Sequence, residues 1–332
     1  MKIAILDDYQ GAVRKLDCFA MLHDHEVKVF ENSTRGLGQL AIRLADFEAL
    51  VLIRERTAIT RQLLARLPKL KLISQTGKVS GHIDVEAATA AGVAIAEGVG
   101  DPTAPAELTW ALIMAAMRRV PDYRENLKRG AWQRSSLDPA RDGLGRVLKG
   151  KTLGIWGYGK IGRLVAGYGR AFGMRVVVWG REASREKARQ DGFEAAATRA
   201  AFFAEADVLT LHLRLNDATR GVVTAQDLAL MKRDALLVNT SRAELIAAGA
   251  LLEAMQGGRP GFAALDVFES EPLSPESPLL RMSNVLATPH LGYVEEESYE
   301  LYFGAAFENV VNFANGKPSG ILNPEALDRK AS

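Results

Sequence analysis

The sequence has few of the residues that build disulfides, metal clusters or membrane spans. Cys18 is the single cysteine in 332 residues, so neither an intramolecular disulfide nor a cysteine metal cluster can form. No apolar run approaches the ~20 residues that a membrane-spanning helix needs. The apolar run at the N-terminus is short and is interrupted by Asp7 and Asp8, which is unlike a secretory signal. We therefore expect a cytoplasmic protein without a metal site.

An excess of charge of one sign is also lacking. The 42 basic residues face 40 acidic ones, which leaves a net charge of +2. This balance gives no broad basic surface, so we expect neither nucleic acid nor a membrane as a partner. Hydrophobic residues make up 48% and charged residues 25% of the chain, as is typical of a globular protein. The length is sufficient for two domains.

Short β-branched segments alternate with helix-length segments in two series. The predicted strands of the first series are residues 3–6, 27–30, 50–53, 72–74 and 93–96, and those of the second are 152–156, 175–179, 208–211, 235–239, 261–265 and 285–287. This alternation is typical of parallel sheets that are covered by helices. The pattern predicts an α/β protein with two doubly wound parallel-sheet domains.

A glycine pattern follows the first strand of the second series. The G-x-G-x-x-G segment consists of Gly157, Tyr158, Gly159, Lys160, Ile161 and Gly162. The first glycine allows a tight turn, the second lets the backbone approach a pyrophosphate, and the third lets the next helix pack on the strand. The N–H groups at the start of that helix can bind phosphate. We interpret these six residues as a dinucleotide-binding loop.

Gly180 and Arg181 stand at the end of the next strand, where an NAD site usually has an acid ~20 residues beyond the glycine loop. An acid would repel the 2′-phosphate of NADP, and glycine removes that repulsion. Arginine can bind a phosphate through two N–H groups. The pair predicts a preference for NADP(H), although NAD(H) remains open as a cofactor. The alternative is that Arg181 stacks on the adenine or is solvated.

Three chemically useful side chains follow later strands of the second series. These residues are Arg242, Glu271 and His290. The carboxyl ends of parallel strands form the ligand crevice of a doubly wound sheet. A cation, an acid and an imidazole that meet there would suit the reduction of a 2-keto acid.

In these segments the sequence resembles the D-isomer-specific 2-hydroxyacid dehydrogenases, the family that includes phosphoglycerate dehydrogenase and glyoxylate/hydroxypyruvate reductase. The resemblance extends over nearly the whole chain, and outside the glycine loop it is carried by residues 54–57, 105–108, 211–214, 238–242, 264–272 and 288–292. It implies a Rossmann cofactor domain (residues 101–288) inserted into a discontinuous flavodoxin-like substrate domain (residues 1–100 and 289–332). It also implies a homodimer.

The resemblance further implies hydride transfer between the cofactor and C2 of a small D-2-hydroxy or 2-keto acid. Arg242 would bind the substrate carboxylate and polarise the keto oxygen, and His290 would be the acid or base at that oxygen. Glu271, rather than Glu269, would orient His290, because the family's acid directly precedes a proline. The other cofactor contacts that it implies are His212, Arg214, Thr240, Asp266 and Gly292, with Asp266 at the nicotinamide carboxamide.

The loop from residue 75 to residue 84 corresponds to the family's site for the substrate carboxylate. Gly77, Lys78 and Val79 would bind the carboxylate through backbone N–H groups and the lysine charge, and Arg54 would face the substrate. The loop departs from the family pattern, since Val79 replaces a glycine and His82 replaces an asparagine. The physiological acid and the direction of the reaction therefore stay open.

Two alternatives within the same fold remain. One is a phosphite-type dehydrogenase. The other is a nucleotide-sensing scaffold that binds the cofactor without turnover. Glu271 argues against a formate dehydrogenase, because those relatives lack the acid that pairs with the histidine. Oxidation of NADPH across a panel of 2-keto acids would separate an enzyme from a scaffold.

Overall fold

The computed structural model describes residues 1–34 and 36–328, and the chain divides into two compact units. Unit 1 comprises Met1–Asp101 and Glu295–Ser332, and unit 2 comprises Pro102–Val294. Residues 329–332, which the sequence analysis assigned to the substrate domain, lie outside the described residues.

The second division between the units differs from the expectation. The returning segment of the substrate domain is expected to begin at residue 289, whereas unit 1 resumes at Glu295. The intervening segment stays with unit 2, because the N–H groups of Leu291 and Gly292 donate to the carboxylate of Asp266. His290 therefore belongs to unit 2.

The structure contains twelve strands and thirteen α-helices in the described residues. The strands are β1 (Lys2–Ile5), β2 (Glu26–Val29), β3 (Ala49–Leu52), β4 (Leu72–Gln75), β5 (Ala94–Ala96), β6 (Thr152–Trp156), β7 (Arg175–Trp179), β8 (Glu194–Ala195), β9 (Val208–Leu211), β10 (Leu236–Asn239), β11 (Phe262–Leu265) and β12 (Val285–Ala287). The helices are α1 (Leu37–Leu44), α2 (Arg61–Leu64), α3 (Val85–Ala90), α4 (Thr103–Met117), α5 (Val120–Lys128), α6 (Lys160–Ala171), α7 (Glu182–Gln190), α8 (Arg199–Glu205), α9 (Ala225–Leu230), α10 (Ala250–Gln256), α11 (Pro278–Arg281), α12 (Glu296–Ala314) and α13 (Glu325–Asp328). Short 3₁₀ helices cover Val13–Lys15, Asp17–Leu22 and Ala243–Leu245.

Unit 1 is built on a five-stranded parallel sheet in the order β2-β1-β3-β4-β5. This is the flavodoxin-like order, in which the direction of strand succession reverses between β1 and β3. Every residue of β3, β4 and β5 is buried, as expected for parallel strands that are covered on both faces. The unit therefore has its own hydrophobic core.

Unit 2 is built on a seven-stranded parallel sheet in the order β12-β11-β10-β9-β6-β7-β8. Counted within the unit, the first six strands have the 3-2-1-4-5-6 order of a dinucleotide-binding sheet, and β12 extends it by one strand. The two doubly wound parallel sheets confirm the predicted fold class. The succession reverses between β6 and β9, so the ends of these two strands flank the crevice in which ligands of such sheets bind.

Two observations concern the described residues only. No helix of the described chain is both long and apolar enough to cross a bilayer. The same residues contain no group of three or more His, Cys, Asp or Glu side chains that could hold a metal ion.

Candidate functional site

The glycine loop lies at the end of β6, and backbone crowding explains two of its three glycines. A Cβ atom on Gly157, whose φ is +102°, would lie 2.5 Å from the carbonyl oxygen of His212. A Cβ atom on Gly162 would lie 2.1 Å from the carbonyl oxygen of Gly157. Gly159, the N-cap of α6, instead faces open space, since no heavy atom lies within 4 Å of its Cβ position. The open space at a helix N-terminus fits the pyrophosphate of a dinucleotide.

The side chain of Tyr158 anchors this loop and leaves only its backbone for a ligand. Its hydroxyl donates to the Asp191 carboxylate at 3.0 Å. Burial and this hydrogen bond raise the pKa of Tyr158 to about 12. Lys160 and Ile161 form the first turn of α6, where the backbone N–H groups have no partner within the helix. Lys160 is exposed and Ile161 is half-buried.

Gly180 follows the last residue of β7, and Arg181 is the exposed N-cap of α7. Within the described residues the Arg181 guanidinium makes no ion pair. The neighbouring acid, Glu182, is bound by two arginines of the same helix, Arg185 and, at 3.1 Å, Arg189. Its negative charge is therefore compensated, and Arg181 remains available to a phosphate.

His212 follows β9 at the point where the strand succession reverses. Burial lowers the pKa of its imidazole to about 4, so the ring is neutral at physiological pH. Its Nε2 lies 3.0 Å from Oγ1 of Thr210, while its Nδ1 is buried and has no hydrogen-bond partner among the described residues. Buried polar atoms usually have a hydrogen-bond partner, and a water molecule or a ligand would provide one here. Arg214, two residues further on, is exposed.

The segment after β10 is held by hydrogen bonds of its own side chains. Asn239 donates through Nδ2 to the carbonyl oxygen of Arg242 at 2.9 Å and accepts the N–H of Ser241 at 3.1 Å. The hydroxyls of Thr240 and Thr109 lie 2.7 Å apart. Arg242 donates through Nη1 to the carbonyl oxygen of Ser241 at 2.6 Å. This turn fixes the half-buried Arg242 at the end of its strand.

Asp266, fully buried at the end of β11, organises the turn that contains His290. Its carboxylate accepts the Thr288 hydroxyl at 2.7 Å, the Leu291 N–H at 2.7 Å and the Gly292 N–H at 2.9 Å. Burial raises the pKa of Asp266 against the opposing effect of these donors. His290 lies between the anchored residues with a φ of +55°, a conformation that side chains other than glycine rarely adopt.

His290 and Glu271 form the pair that the resemblance implied. His290 Nδ1 lies 2.6 Å from Glu271 Oε2, and the N–H of Phe268 donates to Glu271 Oε1 at 2.9 Å. Burial alone would raise the pKa of Glu271. The hydrogen bond and charge of His290, the Phe268 N–H and the charge of Arg242 together hold the pKa below its usual value. Glu271 is therefore an anion that orients the imidazole, and Arg242 lies near enough to stabilise it.

In unit 1, Arg54 and Gly77 lie against each other at the carboxyl ends of β3 and β4. Arg54 donates through Nη1 to the carbonyl oxygen of Thr76 at 3.2 Å, and its guanidinium lies 5.8 Å from the ring centroid of Tyr302. A Cβ atom on Gly77, which has a φ of +124°, would lie 2.0 Å from that Nη1 atom. The guanidinium could move away from such an atom, so it is the positive φ that favours glycine at this position.

Lys78 and Val79 both contact a carboxylate that the sequence analysis did not consider. Lys78 Nζ lies 2.9 Å from Glu97 Oε2, and the N–H of Val79 donates to Glu97 Oε1 at 2.8 Å. Glu97 directly follows β5, the neighbour of β4 in the sheet. Its position after the adjacent parallel strand was the signal that could have identified it, because such strand ends meet at one edge.

The predicted residues divide between the two units. Arg242, Glu271, His290 and all the predicted cofactor contacts belong to unit 2, whereas the predicted substrate contacts Arg54, Gly77, Lys78 and Val79 belong to unit 1. Within unit 2 the structure brings together the glycine loop with His212, and Glu271 with His290.

A dinucleotide-binding sheet with this glycine loop is typical of nicotinamide-dependent oxidoreductases, and the comparisons with known proteins agree. The family model "D-isomer specific 2-hydroxyacid dehydrogenase, NAD binding domain" matches residues 110–292. A glyoxylate reductase of Aeropyrum pernix is 41% identical over 269 residues, which cover 80% of this chain and 80% of that protein.

Two further relatives carry a different substrate in their names. A D-3-phosphoglycerate dehydrogenase of Methanocaldococcus jannaschii is 36% identical over 317 residues, and this chain spans only 58% of its length. The crystal structure of a phosphoglycerate oxidoreductase from Vibrio cholerae O395 is 60% identical, with a TM-score of 0.92 over 95% of this chain and 99% of that one. The chain belongs to the D-isomer specific 2-hydroxyacid dehydrogenase family. It is an enzyme of that class, whose cofactor is a nicotinamide dinucleotide.

Proposed function

We propose that this enzyme transfers hydride between NADP(H), used in preference to NAD(H), and C2 of a small D-2-hydroxy or 2-keto acid. The observation that carries the proposal is the 2.6 Å contact between His290 Nδ1 and Glu271 Oε2. An imidazole oriented by a carboxylate is suited to proton transfer at neutral pH. The pair lies in the same unit as the glycine loop.

The dinucleotide would be held by unit 2, which we propose as the cofactor domain. The N–H groups at the start of α6 would bind the pyrophosphate beside Gly159, and Arg181 would bind the 2′-phosphate. The buried Nδ1 of His212, which lacks a partner in the described structure, supports a ligand at the end of β9. The further contacts proposed from the family resemblance are Gly157, Tyr158, Lys160, Ile161, Gly162, Gly180, Arg214, Thr240, Asp266 and Gly292. The bound cofactor supplies or removes the hydride at C2.

The protein's own residues would bind the acid and move one proton. Arg242 would bind the substrate carboxylate and polarise the keto oxygen. Because His290 Nδ1 is occupied by Glu271, its Nε2 is the ring atom left to exchange a proton with substrate. During reduction Nε2 would protonate the alkoxide oxygen. The other ring proton would stay on Nδ1, hydrogen-bonded to the Glu271 carboxylate. In the reverse direction Nε2 would accept the hydroxyl proton.

We also propose that unit 1 is the substrate domain and that the enzyme is a homodimer. Arg54 and Gly77 are the proposed substrate contacts in unit 1, while Lys78 and Val79 have the additional contact with Glu97. A dimer is supported by large apolar side chains that are exposed in one stretch of unit 2. These residues include Leu127, Trp132, Leu144 and Val147.

The test is oxidation of NADPH and NADH with a panel of 2-keto acids by wild type and His290→Ala. We expect turnover by wild type with a higher kcat/KM for NADPH. The variant should lose ~10²–10⁴-fold in kcat, as is usual when a positioned acid is removed, and should still bind NADPH. His23→Ala, which removes an exposed histidine of unit 1, is the matched control.

Three outcomes would contradict parts of the proposal. An unchanged kcat in His290→Ala would exclude His290 as the acid. Tight NADPH binding without turnover of any keto acid would favour the nucleotide-sensing scaffold. Turnover of phosphite alone would favour the phosphite-type dehydrogenase.

A further inference from the structure

A single hydrogen bond does not fix the imidazole of His290 completely. The 2.6 Å contact of its Nδ1 with Glu271 Oε2 opposes a flip of the ring, because a flip would carry Nδ1 away from the carboxylate. The ring can still tilt about the line that joins these two atoms. A tilt would displace Nε2, which lies off that line and exchanges the proton under the proposed function. The imidazole therefore needs a second contact if Nε2 is to keep one position.

Tyr293 provides such a contact from the same segment of chain. The ring centroids of His290 and Tyr293 lie 5.7 Å apart, and the two ring planes meet at 75°. Aromatic rings prefer this edge-to-face arrangement to a face-to-face stack. Because the tyrosine ring lies nearly perpendicular to the imidazole and in contact with it, a tilt of the imidazole would have to displace the tyrosine.

The turn that carries Tyr293 is itself anchored. The N–H groups of Leu291 and Gly292 donate to the buried carboxylate of Asp266 at 2.7 Å and 2.9 Å. The N–H of Val294 donates to the carbonyl oxygen of Leu291 at 2.8 Å, which closes a turn around Gly292 and Tyr293. Tyr293 is only 8% exposed, whereas the side chain of the histidine that it contacts is 27% exposed. The buried ring on its anchored turn can therefore support the imidazole.

We infer that Tyr293 is a positioning residue, whose aromatic ring holds the imidazole of His290 at the tilt from which Nε2 exchanges a proton. The inference rests on the proposed function, in which His290 is the acid or base, and adds a residue that orients it. The restraint comes from the ring and not from its hydroxyl. Removal of the ring should therefore slow proton transfer, while the affinities for cofactor and keto acid stay close to their wild-type values.

The kinetic test compares three variants of Tyr293, with NADPH and the 2-keto acid that wild type reduces fastest. Tyr293→Leu and Tyr293→Met fill the space without a ring, and the second gives another measure if the first does not fold. Both should lower kcat by about 10–100-fold, because a misplacement of ~1 Å can cost ~10²-fold in rate. KM for the keto acid and Kd for NADPH should change by less than about threefold, since the lost contact acts in the transition state. Tyr293→Phe keeps the ring, and its kcat should stay within about threefold of wild type.

Proton NMR of protein with isotope-labelled histidine observes the ring contact directly. The chain has five histidines, and the signals of His290 are those missing from His290→Ala. In wild type we expect a nuclear Overhauser contact between the rings of His290 and Tyr293. The His290 signals should move in Tyr293→Leu and Tyr293→Met, because the ring current of the tyrosine is lost. They should stay near their wild-type positions in Tyr293→Phe.

Tyr168→Leu is the matched control. Tyr168 lies on α6 in unit 2 and also packs on an aromatic ring, that of Trp110, with the two centroids 5.9 Å apart. The change removes a tyrosine ring from an aromatic pair that does not include His290. Both kcat and the His290 signals should keep their wild-type values.

Failure of this inference can be distinguished from failure of the proposed function. If folded Tyr293→Leu and Tyr293→Met keep the wild-type kcat, or if wild type shows no contact between the two rings, the inference is overturned and the proposed function stands. The same holds if Tyr293→Phe or Tyr168→Leu loses as much kcat as Tyr293→Leu, since the ring at this position is then not the cause. If His290→Ala keeps the wild-type kcat, the proposed function fails and the inference falls with it.

Discussion

At the residue scale, the proposed preference for NADP(H) depends on the charge of Arg181. Arg181 is exposed at the start of α7, and the adjacent acid, Glu182, is bound by Arg185 and Arg189. We predict that Arg181→Ala lowers kcat/KM for NADPH by about 10–100-fold, because hydrogen bonds to charged groups contribute ~1.5–3 kcal/mol. The value for NADH should change by less than about threefold, since NADH carries no phosphate at the 2′ position.

Steady-state kinetics with both cofactors would check this prediction. Lys187→Ala removes a positive charge from the middle of the same helix, where the lysine pairs with Asp191, and should leave the NADPH to NADH ratio unchanged. If Arg181→Ala lowers kcat/KM equally for NADPH and NADH, Arg181 contacts a part of the dinucleotide that both cofactors share. The proposed preference for NADP(H) would then lose its support.

The individual residues differ in how far the sequence could identify them. Gly157 and Gly162 were predictable, because their requirement arises within a single strand–turn–helix segment. The partner of Lys78 was not, because Glu97 lies 19 residues further on, and their contact depends on the pairing of β4 with β5. The burial of the His212 Nδ1 atom depends likewise on the packing of the whole sheet. Local sequence patterns carry no direct record of either.

At the element scale, the parallel direction of the strands was more predictable than the turns between them. Both sheets are wholly parallel, as the alternation of strands and helices implied, because a crossover helix returns each strand in the same direction. The two-residue β8 escaped prediction, since it is too short to show a pattern. The positive φ of His290 also could not be predicted from the sequence. The residues on either side of His290 donate to Asp266, which is remote in sequence.

The turn from Thr288 to Gly292 should depend on that carboxylate for its shape. We predict that Asp266→Ala lowers kcat by about 10²-fold, because the loss of the acceptors for the Leu291 and Gly292 N–H groups lets His290 relax away from its positive φ, and small misplacements have effects of that size. The free energy of unfolding should also fall by about 1–3 kcal/mol, since the N–H groups of Leu291 and Gly292 lose their acceptor.

Kinetics and urea unfolding of two variants would check this role. Thr288→Val removes one of the three donors to Asp266 but keeps both backbone contacts, so its kcat should fall by less than about tenfold. A wild-type kcat in Asp266→Ala would mean that the His290 turn keeps its shape without the carboxylate. The proposed positioning by Asp266 would then be wrong.

At the scale of the whole molecule, the division into two units followed from the sequence only in part. The first boundary, where the chain passes from unit 1 to unit 2, was predictable because glycine and proline cluster around residues 98–102. Such clusters are typical of domain boundaries. The second boundary, where the chain returns to unit 1, was predicted at residue 289, where Pro289 follows β12. The structure moves it to Glu295, because hydrogen bonds, rather than composition, hold residues 288–292 to β11.

The exposed apolar residues of unit 2 give the last prediction, which concerns assembly. Leu144 is 90% exposed, Trp132 74% and Val147 66%, and large apolar side chains gathered in one stretch of chain are typical of a surface that another protein covers. If a second copy covers them, the double variant Leu144→Asp, Val147→Asp should convert a dimer of 36.0 kDa chains into monomers in light scattering. Ile42→Asp, at a side chain of unit 1 that is 83% exposed, should leave the dimer intact. A wild type that is monomeric at micromolar concentration would contradict the homodimer. If Ile42→Asp dissociates the dimer as fully as the double variant does, the exposed residues of unit 2 are not its specific interface.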